Sequence, residues 1–207
     1  MLRANSATSI IAIVTVAISG LAILFGLDNA VALAGFIPAR LSGLVQLPGA
    51  VPAFLTPWTS AFVHGGWLHL IINMLMLGIA GSQVERIIGK TGLVAAYLVG
   101  AGVAAGAQFA VDPSSMVPMV GASGAISALF GIYALFFGQP KQVTRNQKLN
   151  RAIHVVWLMA AWVVIQWMSE ILAGGQGYLL ATPAHIGGFL AGLLLAKPLL
   201  LWRYRGA

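Results

Sequence analysis

Six runs of about twenty apolar residues, separated by polar or proline-rich stretches, restrict this chain more than any other feature. A run of that length matches the hydrocarbon thickness of a bilayer as a helix. Backbone in lipid must satisfy its own N–H and C=O groups, and an α-helix does so within one segment. The runs fall at about 8–26, 66–83, 91–110, 121–138, 152–172 and 181–201. Hydrophobic residues make up 59% of the 207 and charged ones 7%, whereas a soluble domain carries about 25% charged residues. The expectation is a single all-α polytopic membrane domain over residues 1–207 with six transmembrane helices. The first run has Arg3 before it and Ala32-Leu33-Ala34 after it, as a signal peptide would. Its roughly 19 apolar residues exceed the usual signal core, so a retained helix is expected.

The net charge of +7 does not point to nucleic acid, because the basic residues form no cluster on a soluble module. They alternate between loops. Arg3, Arg86, Lys90, Lys141, Arg145, Lys148, Arg151, Lys197, Arg203 and Arg205 fall on one side, and Arg40 alone on the other. The positive-inside rule makes the first side cytoplasmic and places both termini there. No cysteine is present, which excludes disulfides and thiolate metal sites. The segment 27–65 is long and apolar, but Pro38, Pro48, Pro52 and Pro57 bar one continuous helix. Its expected place is the outer membrane interface, either plugging the bundle or facing substrate.

Against this background a few polar groups stand out, since such groups are costly inside a membrane. Ser123 heads the fourth run in Gly121-Ala122-Ser123-Gly124, and His185 heads the sixth in Ala184-His185-Ile186-Gly187-Gly188. His69 and Asn73, four residues apart on the second run, share one helix face. His64 lies in the turn leading into that run. The second, fourth and sixth runs descend from the same side, so these residues reach similar depth near the outer face. Ser123, Ser127 and Gly131 form one face of small residues, and Ala184, Gly188 and Gly192 another. Faces of this kind invite close helix contact. A serine nucleophile, a histidine base and an amide oxyanion donor are the chemistry this set suggests. Each residue alone is more simply packing material or a polar anchor. No HExxH run exists, and Asp28 and Asp112 fall in outer loops, which argues against a zinc or aspartyl mechanism. No carboxylate is placed to orient His185, so a dyad is expected rather than a triad.

His64-x4-His69-x3-Asn73, Gly121-Ala122-Ser123-Gly124 and Ala184-His185-x2-Gly188, taken with Val84-Glu85-Arg86-x2-Gly89, resemble the rhomboid intramembrane serine proteases. The resemblance covers roughly residues 54–195 in order. It implies Ser123 as nucleophile, His185 as general base, and His69 and Asn73 at the oxyanion hole, with Gly121 and His64 in the same oxyanion or substrate-binding set. It implies membrane-protein substrates, single-span or polytopic, in contact with lipid, and no cofactor or metal. A bacterial inner membrane is the expected location. The family often carries an aromatic residue one turn after the serine, where this chain has Ser127; Trp157 or Trp162 on the fifth run is expected to support His185 instead. The same two tryptophans are candidates for a seam between the second and fifth runs through which substrate enters. A catalytically weak or inactive relative that binds membrane proteins is the alternative reading.

Overall fold

The structure is a computed structural model that describes residues 6–137, 140–172 and 181–206. Arg3 and the loop between the fifth and sixth runs, 173–180, lie outside the described residues. The described fold is helical, with a single antiparallel bridge between Phe36 and Met119 in place of a sheet.

Helix α1 (Ala7–Phe25) starts at Ser6, whose side chain accepts from the Ser9 N–H. A second cap comes from far along the chain. Glu85 accepts the Ala7 and Thr8 N–H groups at 2.9 Å each, and the Thr8 hydroxyl at 2.6 Å. A carboxylate suits the exposed N–H groups and positive dipole of a helix start. Along α1 the usual amphipathic order is inverted. Thr8, Thr15 and Ser19 are fully buried while Ile13, Leu21, Leu24 and Phe25 are exposed. That is how a helix meets lipid on one side and small or polar neighbours on the other.

Short helices α2 (Leu27–Ala34), α3 (Pro38–Leu41) and α4 (Thr56–Thr59) follow, broken where the prolines require. Then α5 (Trp67–Met76), a π-helical turn at Leu77–Gly81 and α6 (Ser82–Val111) run on as one helical stretch. The sequence reading expects a loop of several residues between the second and third runs. Instead the path turns at one residue, Gly89, with φ +77°. A Cβ there would collide with the Arg203 guanidinium, so the turn requires glycine for both shape and space. Three helices remain: α7 (Ser123–Phe136), α8 (Gln147–Leu172) and α9 (Thr182–Arg203). The fifth run thus begins about five residues earlier than hydropathy suggests, because its polar first turn is helical too.

Among the described residues, four segments are long and apolar enough to cross a membrane: Ala7–Phe25, Trp67–Val111, Gln147–Met168 and Thr182–Arg203. The protein is therefore a multi-pass membrane protein. Helix α7, with 14 residues, is shorter than these and sits mostly buried between α6 and α9. Small residues permit that closeness. A methyl group at Gly131, Gly188 or Gly192 would strike the backbone carbonyls of Phe189, Gly124 and Ala128 respectively. On the other flank, Gly100 lies against Ala128 and Gly124 against Ala104. Leu93, Ile126, Leu129 and Ile132 fill the core between them.

Candidate active site

Ser123 is the first residue of α7, so the N–H groups of that turn have no acceptor within the helix. His185 lies in the first turn of α9. Because the small faces of α7 and α9 meet, these two side chains face each other, with His185 Nε2 2.9 Å from Ser123 Oγ. Ser123 is buried and His185 is almost completely so. His185 Nδ1 has no hydrogen-bond partner among the described residues. Among the described residues no carboxylate is hydrogen-bonded behind the imidazole.

The loop leading into Ser123 is held by two histidines with different duties. The Ala122 N–H donates to His64 Nε2 at 3.2 Å, which makes that nitrogen an acceptor. In a neutral ring the proton then sits on Nδ1, which donates to Ser19 Oγ at 2.8 Å. The Ser19 hydroxyl in turn donates to the Phe62 carbonyl at 2.8 Å. Burial, and to a smaller degree the neighbouring His69, lower the proton affinity of His64 well below the usual imidazole range, consistent with the neutral ring. Both nitrogens of His64 are committed, so it has no donor left for substrate. In this arrangement His64 holds the backbone beside Ser123.

His69 packs edge-on against His64, with ring centroids 5.0 Å apart. Its Nδ1 accepts a long bond from the Gly65 N–H at 3.4 Å, which leaves Nε2 as the N–H donor. The ring lies directly over Gly121, where a Cβ would come within 2.7 Å of it. Gly121 also has φ +111° and donates its N–H to the Ser60 carbonyl at 2.9 Å. Only glycine meets both demands. Asn73 is fully buried one turn along α5, where its Nδ2 donates to the His69 carbonyl at 2.9 Å and its Oδ1 has no partner among the described residues.

Of the two tryptophans, Trp162 is 1% exposed and its ring meets that of His185 edge-on with centroids 6.5 Å apart, whereas Trp157 is 64% exposed. The Trp162 indole N–H donates to Ser127 Oγ at 2.7 Å. Its buried contacts run to α7 and α9, so it is not the loosely held seam residue that the sequence allows. Among the described residues no cluster of histidine and carboxylate groups could hold a metal ion.

Two members of this arrangement escaped the sequence reading: Ser19, and the pairing of Ser127 with Trp162. Ser19 had a legible signal, since Thr8, Thr15 and Ser19 stand seven and four residues apart on one face of an otherwise lipid-like helix.

Residues 53–202 match the family described as the rhomboid domain. The chain is similar to RHOMBOID-like protein 4 of Arabidopsis thaliana, at 31% identity over 70% of this chain and 34% of that protein. It is similar to rhomboid protease GlpG of Pectobacterium atrosepticum, at 30% identity over 67% of this chain and 46% of that protein. GlpG of Yersinia pestis (strain Pestoides F) gives 29% over the same shares. The aligned region is thus less than half the length of these curated relatives.

Proposed function

We propose that this chain, which belongs to the rhomboid family, is an intramembrane serine endopeptidase that cuts transmembrane segments of other membrane proteins near the outer face. The carrying observation is the 2.9 Å approach of His185 Nε2 to Ser123 Oγ between two buried helix starts. Ser123 Oγ attacks the scissile carbonyl while His185 takes its proton and then delivers it to the leaving amine. A water then attacks the acyl-enzyme, with His185 again as base. The developing oxyanion meets the Ser123 N–H, the His69 Nε2–H and the Asn73 amide. Gly121 lets the His69 ring come close, and His64 holds the Ala122 peptide so that the next N–H is fixed.

In this reading the chain is one domain crossing the membrane six times, with both termini cytoplasmic. The turn at Gly89 divides Trp67–Val111 into the second and third crossings. Helix α7 spans about 21 Å at 1.5 Å per residue, against about 30 Å of hydrocarbon. With its end Phe136 at the inner face, Ser123 lies below the outer surface rather than on it. GlpG relatives from Yersinia and Pectobacterium support a bacterial inner membrane. The test is cleavage of a single-span reporter by the purified protein in liposomes. Cleavage by the wild type and none by Ser123→Ala is expected. A wild type that binds the reporter without cutting it would instead mark a membrane-protein binding scaffold.

A further inference from the structure

Helix α8 is the least enclosed of the long helices. Only 11% of its most apolar stretch is buried, against 44% for α9. Trp162 departs from that pattern: its indole is buried between α7 and α9, beside the serine–histidine pair. The indole N–H donates to Ser127 Oγ at 2.7 Å, and the Ser127 hydroxyl donates to the Ser123 carbonyl, also at 2.7 Å. The indole ring stacks on Phe130 with centroids 4.5 Å apart and meets the His185 ring edge-on at 6.5 Å and 71°. Trp162 is thus joined to the nucleophile's residue through one serine and stands beside the base directly.

His185 needs such a neighbour. Its Nε2 accepts from Ser123, so in the neutral ring the proton is on Nδ1, and Nδ1 has no partner among the described residues. Among the described residues no hydrogen bond from behind fixes the rotation of the imidazole. Packing must do so, and a flat, fully buried ring is a suitable wall. We infer that Trp162 is a positioning residue for His185, extending into the site from α8, so that the seating of α8 sets the reactivity of Ser123. This rests on the protease reading. It also assigns α8 a second duty: any movement of α8 that withdraws Trp162 leaves the base less firmly held and slows hydrolysis. The bond from Trp167 Nε1 to Thr182 Oγ1, 2.9 Å, ties α8 to the start of α9 three residues before His185 and acts in the same sense.

The experiment compares Trp162→Ala, Trp162→Leu, Trp162→Phe and, as a control on the same helix, Trp157→Ala. Two quantities are read: kcat and KM for a single-span substrate, and the rate at which a small fluorophosphonate modifies Ser123. The small probe needs no passage for a transmembrane helix, so it reports on the dyad alone. Trp162→Ala and Trp162→Leu should lower kcat and labelling rate together by about 10–100-fold, with KM nearly unchanged, as misplacement of a catalytic group does. Trp162→Phe keeps a flat wall without the N–H and should stay within about 5-fold of wild type, because one hydrogen bond is a modest loss. Trp157→Ala should label at the wild-type rate. If Trp162→Ala does not fold, the comparison of Leu with Phe decides, since only Phe is flat. Equal labelling by these two, or wild-type labelling by Trp162→Ala, would show that Trp162 merely fills space and would overturn the inference. Faster cleavage by Trp162→Ala would overturn it in favour of a gate. A wild type that neither labels nor cleaves would sink the protease reading itself, and this inference with it.

Discussion

Removing one hydroxyl from α1, by Ser19→Ala, tests whether the backbone beside Ser123 is held from outside the region that matches the family, since α1 precedes residue 53. Ser19 Oγ accepts the His64 Nδ1–H and donates to the Phe62 carbonyl, both at 2.8 Å. Its loss leaves the Nδ1–H of a fully buried ring without an acceptor, which costs about 1–3 kcal/mol. Moving the proton to Nε2 does not escape this cost. Nε2–H would then face the Ala122 N–H, and a buried peptide group would lose its acceptor instead. A loss near 2 kcal/mol is therefore expected by either route, roughly 30-fold if all of it falls on the barrier. Part of it will appear as lowered stability, so a fall in kcat of about 5–30-fold is expected, with KM little changed. The assay is steady-state cleavage of a single-span reporter in liposomes, with a melting curve alongside. A cycle with His64→Ala sharpens it. In that background Ser19→Ala should cost clearly less, because the bond to His64 is already gone and only the one to the Phe62 carbonyl is lost. Wild-type kcat and melting temperature for Ser19→Ala, or additive losses in the double variant, would refute the relay.

His185→Ala and Ser123→Ala should be equally inactive, and the double variant no worse than either; losses that multiply would mean that the two act independently. Asn73→Ala should lower kcat by about 10-fold rather than the full effect of a lone oxyanion donor, since His69 and a backbone N–H share the task, and an unchanged kcat would remove Asn73 from the site. Gly192→Ala drives a methyl group into the Ala128 carbonyl, so an overpacking cost of about 1–3 kcal/mol is expected, read as a lower melting temperature and reduced turnover. An unchanged melting temperature would show that α7 and α9 are not in close contact.

Much of this arrangement is legible in the chain before any coordinates. Hydropathy reveals the long helices because each must bury a whole turn-by-turn surface in lipid. The approach of Ser123 and His185 is foreshadowed by the spacing of Ser127 and Gly131, and of Gly188 and Gly192, since small faces pack. The Gly89 turn is harder to see. A single residue with positive φ can reverse a helix without any polar loop to mark it, and its partner Arg203 is more than a hundred positions away. The hydrogen-bond partners of His64 are hard to see for a similar reason. Spacing groups it with His69, but which atoms its two nitrogens meet depends on Ser19 and Ala122, which no local pattern connects to it. Trp162 was one of two candidates; choosing between it and Trp157 required knowing which side of α8 faces the core.

The central claim is that Ser123 is a nucleophile made reactive by His185, and the most direct measurement is the position of a covalent adduct. The protein is treated with a fluorophosphonate in liposomes, digested and mapped by mass spectrometry. One phosphonyl group on Ser123 is predicted for the wild type, with none on His185→Ala under the same exposure. An unlabelled Ser123 in protein that still cleaves its substrate, or equal labelling of Ser123 with and without His185, would contradict the account.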